Sequence, residues 1–228
     1  METPGSVYHQ LLSHYSTQGW WPLEYTTEGP AYFDHRGTRP SNAAQQFEIV
    51  IGAILTQNTR WSNVRLALGQ LAQKGLMNPV SIAKTPKDTL AQTIRSAGYS
   101  NQKAQYLHNI SAFLAQVPFE KLSAMEGEEA RELLLEVKGI GPETADCILL
   151  YALRFPFFVI DAYTRRIFQS LGHPDTTASY DRFAQSITAQ FPAETQTYQE
   201  FHALLVAHGK TFYSKKPYPT LDPVLRSR

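Results

Sequence analysis

The sequence predicts an all-α fold of two helical lobes, and three observations carry that expectation. Apolar residues recur at three- and four-residue spacing, first at Phe47, Val50, Ile51, Ile54 and Leu55, later at Leu133, Leu134 and Val137, then at Ile148, Leu149 and Ala152. Strand-type alternation is nearly absent. Joints rich in Gly, Pro and Asn separate the periodic stretches. The chain of 228 residues, 43% hydrophobic and 18% charged, is long enough to bury a core and too apolar to stay disordered.

From the N-terminus, the first forty-odd residues, with Trp20-Trp21-Pro22 and a Gly/Pro-rich run at 29–40, read as an irregular aromatic arm. The first strongly periodic helix is centred on 47–55. Helices are then expected at 64–73, 89–96, 103–115, 133–137, from Pro142 through 153, and at 164–171, 180–190 and 195–207. One lobe is expected over 42–155 and the other from 1–41 together with 156–228.

A formal net charge of +1 names no partner, but it hides local asymmetry. Residues 60–103 hold seven Lys/Arg and one acid, 120–146 hold three against eight, and 210–228 hold five against one, so a near-neutral chain can present a basic face. One cysteine, Cys147, excludes an intramolecular disulfide, a four-thiolate zinc site and a four-thiolate iron–sulfur cluster. The longest apolar stretches, such as 155–160, fall far short of the ~20 residues of a membrane span. The N-terminus lacks a basic-then-apolar leader, so a cytoplasmic chain with no membrane partner is expected.

The sharpest local signal is the run from Leu133 to Asp146, in which an amphipathic helix enters Lys138-Gly139-Ile140-Gly141 and a second helix opens at Pro142. Proline suits a first helical turn because its missing N–H would be unpaired there. Two glycines allow a tight turn and close approach to a ligand. Turn N–H groups added to the positive end of the second helix form an anion site suited to a phosphodiester. Ile140 is expected to point inward, and Glu143 complements the dipole of the second helix. Beyond that helix lie the apolar run Phe157-Phe158-Val159-Ile160 and then Asp161-Ala162-Tyr163-Thr164-Arg165-Arg166, where Asp161 reads as a helix N-cap worth ~1 kcal/mol.

This order resembles the helix–hairpin–helix (HhH-GPD) DNA glycosylase superfamily of endonuclease III-like base-excision enzymes, over about 47–223. Leu55-Thr56-Gln57-Asn58-Thr59, Gly98-Tyr99-Ser100-Asn101-Gln102-Lys103-Ala104 and Ala207-His208-Gly209-Lys210 add to the likeness. It implies a six-helix barrel-like lobe carrying the hairpin, a second lobe carrying the catalytic acid, and a cleft for DNA and a flipped base. Asp161 would be the catalytic carboxylate, lowering the barrier to a positively charged sugar and orienting or deprotonating water. The hairpin residues Lys138, Gly139, Ile140, Gly141 and Glu143 would hold DNA phosphates.

Two departures narrow the chemistry. Members that also cut the strand carry a Schiff-base lysine two residues after the second hairpin glycine. Glu143 stands there, and neither Lys138 nor Lys210 matches the position, which argues for a monofunctional enzyme. Many relatives follow His-Gly-Lys/Arg with a four-cysteine cluster loop, whereas here Tyr213, Pro219 and Asp222 fall near the ligand positions. The Trp20-Trp21-Pro22 run, Leu55 to Trp61 and the cluster-free tail look most like the 3-methyladenine DNA glycosylase III branch. By that similarity Trp61 stacks on the base, Trp21 and Pro22 wedge at or line the lesion site, and Lys210 lies close to the pocket. Gln57 and Asn58 are nearby amides for base or backbone. A cationic 3-methyladenine fits an aromatic cage.

The expected function is hydrolysis of the N-glycosidic bond of a flipped alkylated purine in duplex DNA, by a monomer with no metal or organic cofactor in the chemistry. A structural monovalent cation at the hairpin carbonyls stays open. Two other readings also stay open: an endonuclease III-like glycosylase for another damaged or mismatched base, and a non-catalytic DNA binder using the hairpin alone.

Overall fold

The computed structural model describes residues 2–26 and 39–225, and every regular element among them is helical. These residues divide into two compact units, one of 2–20 with 156–225 and the other of 21–26 with 39–155. The Gly/Pro-rich run at 29–40 lies, as far as residue 38, outside the described residues.

Where the sequence predicts an irregular arm, the first unit begins instead with a helix, α1 (Pro4–Tyr15). Thr3 caps it by accepting from Ser6 N at 3.2 Å, Pro4 occupies its first turn, and Val7 and Leu11 are fully buried one turn apart. Only two aliphatic residues mark the inner face, too few to register as a period.

The second unit is built around α2 (Ala43–Thr56), capped by Asn42, which accepts from Gln45 N at 3.0 Å. Phe47, Ile49, Val50, Ile51, Ile54 and Leu55 are all fully buried, each stabilising by about 1.5–3 kcal/mol. After it come α3 (Trp61–Gln73), α4 (Pro79–Lys84), α5 (Lys87–Thr93), α6 (Ser100–Gln116), α7 (Phe119–Ser123), α8 (Gly127–Glu136) and α9 (Pro142–Cys147), of which α3, α6 and α9 pack on α2 and α4 and α5 on α6. The short α4 and α7 are absent from the sequence-based expectation because five or six residues cannot display a helical period. Beyond Cys147 the helix continues as π-helical turns over Ile148–Leu153, and Arg154, at φ +64°, ends it.

In the first unit the apolar run 158–160 is buried and outside any helix, and it leads into α10 (Ala162–Ser170). Then come α11 (Tyr180–Thr188) and the long α12 (Thr195–Phe212), against which α1 and α10 pack. The core is aromatic: Phe168, Phe183 and Phe201 are fully buried, with Phe158 5.3 Å from Phe201 by ring centroids. Gly209 lets α10 approach α12 closely, since a Cβ there would lie 2.4 Å from Tyr163 Cγ.

The tail beyond α12 closes on a buried polar network. Asp222 Oδ2 accepts from Tyr213 Oη at 2.7 Å and pairs with His208 Nε2 at 2.7 Å, while Oδ1 accepts from Val224 N and Leu225 N at 2.9 and 2.8 Å. Tyr15 Oη reaches His208 Nδ1 at 2.9 Å, tying α1 into the network. Burial pushes the Asp222 carboxyl up, but the hydrogen bonds from His208, Leu225, Tyr213 and Val224 outweigh it and hold its pKa at about 2.

Candidate functional site

The hairpin is built within the second unit. Gly139 adopts φ +105°, and a Cβ at this position would lie 2.2 Å from the Tyr106 ring, so both backbone and packing demand glycine. Gly141 differs. It caps α9 at φ −95° with no atom within 4 Å of where its Cβ would be, so the protein itself does not require glycine there, and the open space is what a close ligand would need. Ile140 is 5% exposed and points inward as expected, whereas Lys138, Gly141 and Glu143 are exposed.

Two hairpin carbonyls are already engaged: Lys138 O accepts from Asn109 Nδ2 at 2.8 Å and Gly139 O from Gln57 Nε2 at 3.2 Å. Gln57 Nε2 also donates to Thr144 Oγ1 at 3.0 Å. Its amide nitrogen therefore braces the hairpin, and Oε1 takes no hydrogen bond from the described residues. Asn58 is exposed at φ +54°, at the tip of the same loop.

The aromatic residues of this unit sort by burial. Trp21 is 3% exposed and Pro22 is buried, whereas Trp61, the first residue of α3, is only half-buried. Trp21 meets Trp61 edge to face at 5.4 Å and Tyr151 at 5.3 Å. Its indole fills the space above Gly52, where a Cβ would lie 2.9 Å from Trp21 Cζ2. A wedge must project to enter a base stack. Trp21 is instead placed behind the Trp61 ring, and Pro22 is buried next to it in the chain.

In the first unit Asp161 is the N-cap of α10, and its Oδ1 accepts from Thr164 N at 2.7 Å and Thr164 Oγ1 at 2.8 Å. No hydrogen bond reaches Oδ2 among the described residues, and the side chain is half-buried. Two titratable groups feel this carboxylate. Burial pushes the Lys210 ammonium below its ordinary range, with Asp161 pulling it back up. Burial likewise lowers the His202 imidazole, which Asp161 raises and Lys210 lowers. Lys210 Nζ also sits 4.9 Å above the Trp20 ring.

Trp20 and His202 are absent from the sequence-based site. Trp20 belongs to the same aromatic run as Trp21, and only burial tells the half-exposed ring from the buried one. His202, 5% exposed, did leave a signal: it interrupts the apolar run from Phe201 to Val206.

A Gly-turn hairpin with a helix-capping aspartate, all carried on helices, defines a class of protein. Residues 51–193 match the family model for HhH-GPD superfamily base excision DNA repair proteins, and the chain belongs to that family. It is a DNA repair glycosylase, an enzyme whose partner is DNA. The chain is 37% identical over 214 residues to a Methanocaldococcus jannaschii protein assigned as a DNA repair glycosylase, covering 92% of this chain and 88% of the relative. It is 30% identical over 173 residues to endonuclease III of Sulfolobus acidocaldarius, covering 75% and 76%.

Among solved structures, it resembles the H. pylori 3-methyladenine DNA glycosylase bound to 1,N6-ethenoadenine, with a TM-score of 0.71 at 27% identity over 92% of this chain and 98% of the other. The fold is shared with endonuclease III in a non-covalent DNA complex, with a TM-score of 0.71 at 18% identity over 96% and 91%. Among the described residues no cluster of three or more His, Cys, Asp or Glu is placed to hold a metal ion. No described helix is long and apolar enough to cross a membrane. A four-thiolate cluster does not fit the one cysteine here, Cys147, which is buried in α9.

Proposed function

We propose that this glycosylase is monofunctional and hydrolyses the N-glycosidic bond of a flipped alkylated purine, foremost 3-methyladenine, leaving an abasic site in duplex DNA. The observation that carries the reading is Asp161, with one oxygen fixed by Thr164 and the other without a hydrogen bond. A fixed anion opposes the charge that builds on the sugar as the base departs. Its second oxygen takes a proton from the water that adds to C1′, and an already cationic 3-methylated adenine leaves neutral without needing an acid. Lys210 and the buried His202 tune the field at the carboxylate.

Backbone N–H groups of Gly139, Gly141 and Glu143 grip a phosphate, Ile140 N being bonded to Val137 O and Pro142 having none, while the damaged nucleotide rotates out of the stack. Trp61, with Trp21 behind it, offers the base an electron-rich face. Asn58 and Oε1 of Gln57 contact the base or its backbone. The likeness to a 3-methyladenine DNA glycosylase supports this choice of lesion. The chain acts as a monomer.

Glu143 stands where a lyase carries its amine, and a carboxylate forms no Schiff base. Borohydride is therefore expected to trap no covalent protein–DNA adduct, and a strong trapped band would mean that another lysine acts as nucleophile. The decisive test is Asp161→Asn, assayed on oligonucleotides carrying alkylated, oxidised and deaminated bases. Wild type should release 3-methyladenine preferentially, and the variant should lose release while keeping its affinity for DNA. Preferred release of an oxidised pyrimidine or uracil by wild type would overturn the assigned lesion, and a fully active Asp161→Asn would overturn the mechanism.

A further inference from the structure

Two buried carboxylates hold main-chain amides of the arm, one before Trp20-Trp21-Pro22 in the sequence and one after it. On the N-terminal side, within the first unit, Glu200 of α12 is 7% exposed and accepts from Gln18 N at 2.7 Å and Gly19 N at 3.4 Å. On the C-terminal side, within the second unit, Glu48 of α2 is fully buried. Its Oε1 accepts from Glu24 N at 2.7 Å and Tyr25 N at 3.2 Å, and its Oε2 from Tyr25 N at 3.2 Å and Thr26 Oγ1 at 2.5 Å.

A buried carboxylate is an expensive way to fill space, and it is retained where its lone pairs are all needed. No Lys, Arg or His pairs with Glu48 among the described residues, so the arm itself provides the compensation. Bonds to consecutive main-chain amides fix where the backbone runs whatever side chains it carries. One turn further along α2, Gly52 leaves the gap that the Trp21 indole fills. Carboxylate and gap together form a template on one face of α2: the first holds the chain at 24–26, the second receives Trp21, and Trp21 backs Trp61 at 5.4 Å. Arg65 of α3 adds an outer tie to Glu24 at 2.8 Å.

We infer that Glu48 is a positioning residue for base recognition: it anchors the arm so that Trp21 holds Trp61 in the orientation that stacks on the flipped base, with Glu200 holding the preceding residues. Glu48 itself touches no substrate. The inference rests on the reading of Trp61 as the base platform, and it predicts a loss confined to base recognition rather than a general loss of fold or of DNA grip.

The test uses the full chain with Glu48→Gln, which keeps the shape of the side chain but replaces one acceptor oxygen with a donor, and with the milder Thr26→Val, which deletes one bond and leaves α2 untouched. Amide hydrogen exchange across 23–26 should accelerate in both. Single-turnover excision of 3-methyladenine by Glu48→Gln should fall roughly 10- to 100-fold, the range expected when a recognition group shifts by about an ångström. Affinity for undamaged duplex should stay at the wild-type value. In a Trp61→Ala background the same substitution should add little further loss, because both act through one ring. Faster exchange with unchanged excision would overturn the inference, as would equal fractional losses in the presence and absence of Trp61. Should Glu48→Gln fail to fold, Thr26→Val alone decides, by the same exchange and excision readouts. A wild-type protein that releases no 3-methyladenine would defeat the functional reading instead, a result distinguishable from failure of the anchor because exchange across 23–26 and affinity for undamaged duplex are read without turnover.

Discussion

Gly209→Ala probes how the His-Gly-Lys segment supports catalysis. A Cβ at this position would lie 2.4 Å from Tyr163 Cγ, 2.5 Å from its Cβ and 2.6 Å from its Cδ1. Carbon atoms settle about 3.5–4.0 Å apart, so the first turn of α10 must retreat by roughly 1 Å. Tyr163 lies two residues beyond Asp161, which caps that same turn, so the carboxylate moves with it relative to Lys210 and His202. Overpacking of this kind costs about 1–3 kcal/mol, and alanine in place of glycine within a helix regains about 1 kcal/mol, leaving a net loss of about 0–2 kcal/mol. Catalysis is far more sensitive, since a misplacement near 1 Å can lower a rate by about 100-fold. Single-turnover release of 3-methyladenine should therefore drop about two orders of magnitude, while thermal unfolding shifts by a few degrees and DNA affinity holds. Adding Tyr163→Ala should restore only part of the rate, because the Tyr163 Cβ at 2.5 Å is retained in alanine. A well-folded Gly209→Ala with wild-type excision would refute the idea that this contact sets the position of the acid.

Other outcomes follow from the same geometry. Asp222 has a folded pKa of about 2 against an ordinary 3.8, so its contribution is present above pH 3.8 and is lost as pH falls through about 2. Asp222→Asn should lower stability at neutral pH by about 2 kcal/mol, with the gap from wild type closing toward pH 2 in thermal or denaturant unfolding; a gap independent of pH would contradict the assignment. The two tryptophans of the second unit should separate cleanly. Trp21→Ala empties a core site and should cost about 3–5 kcal/mol of folding stability. Trp61→Ala, at a half-buried ring, should cost less stability and instead weaken base recognition by about 1–3 kcal/mol, read from free-base binding and excision. Equal stability losses for the two would return Trp61 to the core.

Much of the fold was legible because it is written in local terms. The apolar period of α2, the Gly-Ile-Gly-Pro turn and the N-cap position of Asp161 each depend on residues within a few places of one another, and the structure reproduces all three. Helices too short or too sparsely apolar to show a period, such as α4, α7 and α1, were not. The site divides along the same line. Sequence by itself determined the family, the count of one cysteine and the carboxylate in place of an amine at position 143, since these are matters of residue type at a place in a motif. Only the tertiary structure decided which ring of Trp20-Trp21 is buried, that the Gln57 amide is spent on the hairpin, and that Glu48 and Glu200 hold the arm. Those facts depend on partners far away along the chain, as with Gln57 and Gly139 or Trp20 and Lys210, and no local pattern records which distant backbone a side chain will meet once the core has packed.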